Sequence, residues 1–489
     1  MFASIIAFRA LYFATLLLQI GLGLLNTYIA LRLSSNNVDE FWIGALMAAY
    51  YVGLVSGGKL GYRLIAYAGH IRTYVACAGI STAAVLAHSF SDLLTVWLFL
   101  RCIIGLAIMC QYMVLESWLN EQSSSETRGT VFSGYMLSTH LGIILGQIVL
   151  LVHPSLSIEL LMLIAMCFAL CLVPVALTHR VHPTPLTITP MEPKYFLKAV
   201  PKSLTTVLLS GMVTGSFYGL APLYASAHGL ATDKVGLFMA CCILAGLLVQ
   251  WPLGLLSDRV DRARLIRSCS LLLMLSAVPL ALIAEDNYQL LFISGFAVCS
   301  FQFCLYPLGV AFANDHVKPE RRVSLSAMLL MAVGIGSCVG ALVAGALMRY
   351  FGANMLYIFV MVCAIALVWR IRPDVVAKLR VADDAPVPHV AMPDNIGSQL
   401  TVALDPRVDE QIVQEQMMLD SAHNTENITS ADNLAPNKED NSNKEDDDDV
   451  SNLEPDITLT NNANIGKNSK DDKNSIINDK EYEITNKNI

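Results

Sequence analysis

The sequence predicts an all-α membrane protein, with about 12 transmembrane helices in two six-helix bundles and a disordered acidic tail behind them. Three observations predict this. Hydrophobic residues make up 55% of the 489 residues and charged residues only 15%, where a soluble chain carries about 25% charge. Apolar runs of bilayer-spanning length recur from Ala10 to Trp369. Charge is also divided: up to Arg372 there are 22 Lys and Arg against 15 Asp and Glu, and after it 10 against 25. The front is a basic body whose main solvent is lipid; the back is an acidic one in water.

The first run, Ala10–Leu31 behind Arg9, spans about 33 Å as a helix, enough to cross a ~30 Å hydrocarbon core. It is too long for a signal-peptide core and no small-x-small cleavage pattern follows, so it reads as a retained first helix. Phe41–Leu60, Thr73–Phe90, Leu93–Leu115, Val131–Val152 and Leu156–Leu177 complete a first group. Ser203–Ala225, Val235–Leu256, Ser268–Ala284, Leu290–Ala313, Val323–Leu347 and Asn354–Trp369 form a second. A lone segment in lipid has to be helical, because only a helix pairs its own backbone groups.

Basic residues alternate between the connections. Arg63, Arg72, Arg128, Lys194, Lys198, Arg259, Arg262, Arg264, Arg267, Arg321, Arg322 and Arg370 fall on one side, and Arg32, Lys234 and Arg349 on the other. The positive-inside rule then puts both termini in the cytoplasm. The Pro-rich, basic stretch 178–202 divides the chain into bundles 1–177 and 203–372, with the tail at 373–489. Asn120, Arg128, Gly142 and Gly146 match Asn314, Arg322, Gly336 and Gly340 at a constant offset of 194, the mark of an internal repeat.

The tail is rich in Asn, Asp, Ser and Lys, carries the acidic run Glu445–Asp449, and lacks the apolar surface to offset its ordering entropy. Glu410–Leu419 is its one segment with a transient amphipathic pattern. The twelve cysteines show no C-x-x-C, and most sit in apolar runs as small hydrophobes. His179 and His182 have a metal-like spacing in a Pro-rich loop, with no further ligand, so neither metal nor cofactor is expected. H-E-x-x-H, G-x-S-x-G and P-loop patterns are absent, and the expectation is a protein that is not an enzyme.

Polar residues inside the spans are the candidate pathway. Arg101 costs at least ~2.5–3.5 kcal/mol in a bilayer centre and needs a cavity or a partner. At 100° per residue it shares a helix face with Gly105, Tyr112 and Glu116. Ser133, His140 and Gln147 align on the fifth run, where His140 is a possible proton acceptor or a neutral hydrogen-bonded group. Gly142 and Gly146 form a packing seam on the other face. Gln19, Asn26 and Gln302 either line a cavity or bond neighbouring helices.

Two loops carry gate-like motifs. Gly254 stands at the end of the eighth run, and Asp258, Arg259 and Arg262 follow it, a carboxylate among basic residues at the membrane surface. They resemble the G-x-L-x-D-R loop signature of the major facilitator superfamily. The first-half counterpart, with Gly58, Arg63 and Arg72, lacks the Asp. Asn314, Asp315 and Arg322 mark the loop after the tenth run. Arg101-x-x-x-Gly105 resembles the superfamily's fourth-helix Arg motif, which implies a link to proton coupling. The combination Glu116-Ser117-Trp118-Leu119-Asn120, Arg128-Gly129, Gly146-Gln147 and Ala313-Asn314-Asp315 resembles the YcaD-type branch of bacterial major facilitators, through Arg372.

This resemblance implies a multi-pass permease of the inner (plasma) membrane, moving a small solute by alternating access, with protons as candidate coupling ion. The expected partners are the lipid bilayer and a small-molecule substrate, with no nucleic acid. The alternative is a membrane sensor or scaffold that displays its tail to a partner the sequence does not name.

Overall fold

The computed structural model describes residues 8–121, 123, 128–177, 193–282, 287–318 and 321–371. The acidic tail, the segment Glu410–Leu419 and the pair His179 and His182 lie outside the described residues. Within these the helices are α1 Arg9–Ser35, α2 Glu40–Ala68, α3 His70–Ala87, α4 Leu94–Glu121, α5 Arg128–Val152 and α6 Ile158–Ala176. After the short helix Pro193–Ala199 come α7 Pro201–Ala227, α8 Thr232–Ser257, α9 Arg262–Leu282, α10 Tyr288–Asn314, α11 Arg322–Phe351 and α12 Met355–Arg370. Ten of these are long and apolar enough to cross a membrane, and α12 is a shorter apolar helix. In α3, His70, Arg72 and several hydroxyl residues dilute the hydropathy of an 18-residue helix that still reaches about 27 Å.

Local chemistry sets the punctuation. Gly69, at φ 81°, closes α2 and turns the chain straight into α3, and Gly352, at φ 94°, does the same between α11 and α12. Pro201 opens α7, where its missing N–H costs nothing. Within α6 the helix breaks at Cys171, three residues before Pro174.

The pairing of helices is written twice. In the first half α1 packs on α5 and α6, α2 on α4, and α3 on α4 and α6. In the second, α7 packs on α11 and α12, α8 on α10, and α9 on α10 and α12. Every one of these pairs recurs six helices later, so the constant sequence offset reflects two bundles of one design. The shared glycines explain part of it. A Cβ on Gly142 or Gly146 would lie 2.7 Å from Leu16 O or 2.6 Å from Ile20 O of α1. On Gly336 or Gly340 it would strike the Leu208 or Met212 carbonyl of α7. On α5 the other face presents exposed Leu137, Leu141, Leu145 and Ile148, a stripe suited to lipid.

The bundles meet through α2 against α11 and α5 against α8, with α7 also touching α1 and α2. The sites of close approach lie toward one end of the molecule. Gly44 of α2 faces Ala341 and Gly345 of α11, Gly236 of α8 faces Gln147 and Leu150 of α5, and Gly219 of α7 faces Met47. Asp39 and Arg349 add a half-exposed ion pair at 3.2 Å on the same side. We call this the far end; α1 begins and α12 finishes at the near end.

The helices overrun the apolar runs that announced them. α2, with 29 residues, is about 43 Å long. Gly58 and Arg63, expected in a connecting loop, are therefore helical, as are Arg72, Arg262 and Arg322. Helical pairing continues through the headgroup region, where polar side chains reach water, while hydropathy marks only the hydrocarbon-buried part.

Candidate functional site

Arg101 stands seven residues into α4, about 10 Å from the far end of that helix and about 30 Å from its near end. The side chain is fully buried. Its Nη2 donates to Asn26 Oδ1 of α1 at 2.8 Å and reaches Met47 Sδ of α2 at 3.1 Å. The guanidinium carbon lies 4.9 Å from the centroid of the Tyr50 ring. Nε and Nη1 have no hydrogen-bond partner among the described residues.

No described carboxylate pairs with Arg101. The titratable side chains that interact with it are the neutral phenols of Tyr50 and Tyr51 and the imidazole of His88. Glu116, the polar residue at the other end of the same helix face, is fifteen positions away, about 22 Å along the axis. Met47 also packs against Gly219 of α7, and Tyr51 lies against Ser337 of α11. Arg101 is thus held by the first bundle directly beneath its junction with the second.

A column of phenols and amides runs from there toward the near end. Gln19 Nε2 donates to the Tyr112 hydroxyl at 3.1 Å, and the Tyr135 hydroxyl donates to Glu116 Oε1 at 2.8 Å. Tyr62 also faces Glu116, and all five of these residues are buried. Helices α1, α2, α4 and α5 each contribute to the column.

Of the residues singled out in the sequence, Asn26 and Arg101 are brought together, and so are Gln19 and Tyr112. Gln147 is taken up elsewhere: it accepts from Thr27 and donates to Gly23 O, both at 2.9 Å, tying α5 to α1. His140 is buried with Nδ1 2.9 Å from Met136 O of its own helix. Gln302 of α10 is buried, with both ends of its amide unpartnered among the described residues. Sequence reasoning missed Met47, Tyr50, Tyr51, Tyr62 and Tyr135, which look like ordinary apolar or interfacial residues in a hydropathy plot.

At the near end, Arg262 is buried and bridges three helices. It pairs with Asp258, which follows α8, at 3.2 Å, and with Asp315, which follows α10, and donates to Ala311 O at 3.3 Å. Gly254 is buried beneath this group, whereas Arg259 is exposed. Asn314 is buried beside Asp315, and Arg322 opens α11 half-buried. In the first half the corresponding place is held by His70, buried, with Nε2 3.1 Å from Ser117 Oγ. Among the described residues Gly58, Arg63 and Arg72 make no comparable group: a Cβ on Gly58 would meet nothing within 4 Å, and both arginines are exposed.

Paired six-helix bundles closed together at one end over a buried polar column define a polytopic membrane transporter. The family model described as Major Facilitator Superfamily matches residues 11–305 and 203–403, and the chain belongs to that superfamily. It is 29% identical over 385 residues to the uncharacterized MFS-type transporter YE1530 of Yersinia enterocolitica, covering 77% of this chain and 96% of that protein. It is 29% identical over 350 residues to the uncharacterized MFS-type transporter YcaD of Salmonella heidelberg, covering 71% and 90%. Among solved structures it resembles the nucleoside transporter NupG, with TM-score 0.62, 17% identity, and 74% of this chain and 98% of that one covered. A POT family transporter in complex with 5-aminolevulinic acid matches with TM-score 0.62, 14% identity and coverage of 74% and 94%. These two likenesses establish the fold.

Proposed function

We propose that the protein is a secondary transporter that moves a small solute across the plasma membrane by alternating access, both termini lying in the cytoplasm. The observation that carries this reading is the place of Arg101. It is a buried cation held at the junction of two repeated bundles, under the glycine contacts that join them at the far end. Rigid bundles joined at one end can rock about such a site and expose it to either side in turn. The far-end contacts would then belong to the state open toward the near end. The basic residues gathered there support a cytoplasmic near end by the positive-inside rule.

Proton coupling is the finer part of the reading. It rests on Glu116, a buried carboxylate held by the Tyr135 hydroxyl within a column that also contains Tyr112 and Gln19. A carboxylate in such surroundings takes up or releases a proton as its access to water changes.

The test is accumulation from a metabolite mixture into proteoliposomes, measured by mass spectrometry with and without an imposed pH gradient. The expected result is accumulation of at least one solute by the wild type, increased by the gradient and abolished in Arg101→Gln. Contents that match protein-free vesicles would overturn the transport reading, and uptake indifferent to the gradient would remove the proton.

A further inference from the structure

Resting on the reading of Arg101 as the transport site, we infer that the solute is a small organic anion, a carboxylate on an apolar or aromatic body, bound at the Arg101 guanidinium through a donor its neighbours leave unspent. The first observation is one of charge. Arg101 is completely buried, and no described carboxylate neutralises it. Structural arginines inside membranes normally carry a counter-charge or spend all their donors on backbone carbonyls. This one spends Nη2 on a neutral amide and a thioether and leaves Nε and Nη1 unspent. A guanidinium so arranged lacks one negative charge and acceptors for those N–H groups; a carboxylate supplies the charge and accepts from one of them, Nε and Nη1 lying on different edges of the planar group.

The second observation is the surrounding surface. The guanidinium lies against the Tyr50 ring and the Met47 thioether, and Trp97, also buried, sits one helical turn away on the same face of α4. A strongly hydrated inorganic ion gains nothing from such walls. An organic body attached to the anion buries its own apolar surface there. Met47 and Tyr51 also reach the second bundle at Gly219 and Ser337, so an occupant of the site touches residues at the junction of the two halves. Recognition and rocking are then joined at one place.

The chemistry suggests a substitution that does not leave a hole. Asn26→Asp is isosteric and sets a carboxylate where Asn26 Oδ1 now lies, 2.8 Å from Arg101 Nη2. It provides the missing counter-ion internally, so the variant folds and the incoming anion is repelled. Arg101→Gln removes the cation itself.

The experiment uses the full chain purified in detergent. Thermal unfolding is followed by a thiol-reactive dye that reports exposure of buried cysteines such as Cys110 and Cys242. The probes are benzoate, benzamide, benzylamine, inorganic phosphate and chloride, each titrated at constant ionic strength. Benzoate is expected to raise the Tm of the wild type in a saturable way. The other four should leave it unchanged, and the apparent affinity for benzoate should fall about 10- to 100-fold in Asn26→Asp and Arg101→Gln. If Arg101→Gln does not fold, Asn26→Asp carries the test alone. Benzoate protection that survives Asn26→Asp would overturn the inference, as would equal protection by benzamide or benzylamine. Stabilisation by phosphate or chloride alone would replace the organic anion with an inorganic one and overturn it too. In parallel, exchange of labelled solutes of each charge class is measured in proteoliposomes. Exchange of only neutral or cationic solutes would leave transport standing and remove the anion. Exchange of none, with no stabilisation by any probe, would remove both.

Discussion

His70 and Arg262 occupy the same place in the two halves: each is the first residue of its bundle's third helix, and each is buried against the near end of the fourth. The chemistry at that shared place differs. Arg262 is fixed by Asp258 and Asp315, whereas His70 meets the Ser117 hydroxyl. One half carries an ionic clasp at this place and the other a histidine–serine hydrogen bond.

This difference predicts unequal costs. Arg262→Met leaves two carboxylates without their cation; Asp258 is 31% exposed and water screens part of the loss, so the expected destabilisation is about 2–3 kcal/mol. His70→Gln keeps the bulk and removes the imidazole contact to Ser117, an expected loss of about 1 kcal/mol for that contact. Equilibrium unfolding in mixed micelles measures both, and equal costs would contradict the clasp.

The glycines give a second contrast. Gly146→Val pushes two methyl groups and a Cβ toward the Ile20 carbonyl, where a Cβ alone already lies at 2.6 Å. The expected cost is about 1–3 kcal/mol, with α1 and α5 forced apart. Gly58→Ala adds a methyl into open space on α2 and should be neutral, or stabilising by up to about 1 kcal/mol. Reduced expression and lowered Tm of the Gly58 variant would show that the near end of α2 is packed in a way these contacts do not include.

Glu116 and Tyr135 form the third test. Tyr135→Phe withdraws a donor from a buried carboxylate and should cost about 1.5–3 kcal/mol. Against a Glu116→Gln background the same substitution should cost at least about 1 kcal/mol less, because the charge that needed the donor is gone. Additive effects in that double-mutant cycle would mean the hydroxyl and the carboxylate are held independently.

The layout of spans was legible because bilayer thickness imposes run length, and the repeat was legible because glycines at helix crossings tolerate no substitute. Polar residues inside those runs, such as Arg101, Asn26, Gln19 and Tyr112, also announced themselves. Their partnership did not, since Asn26 and Arg101 are 75 positions apart and only the packing of α1 on its neighbours brings them together. Tyr50, Tyr51, Tyr62 and Tyr135 stayed hidden because a phenol buried in a polar column and one anchored at a membrane surface look the same in a hydropathy pattern. Gln147 shows the opposite, a polar residue inside a run whose amide joins α5 to α1. His70 was passed over because polar residues at the start of a transmembrane helix are routine.

The central claim is that the bundles rock about the Arg101 site, and the most direct measurement is a pair of distance distributions in liposomes. Spin labels at Asp39 and Arg349 report the far end, and labels at Ser133 of α5 and Leu255 of α8, both exposed, report the near end. The account predicts two populations at each end, with the far-end pair long in the molecules whose near-end pair is short, and their ratio shifted by Arg101→Gln. A single unchanging distance at both ends, in wild type and variant alike, would contradict it.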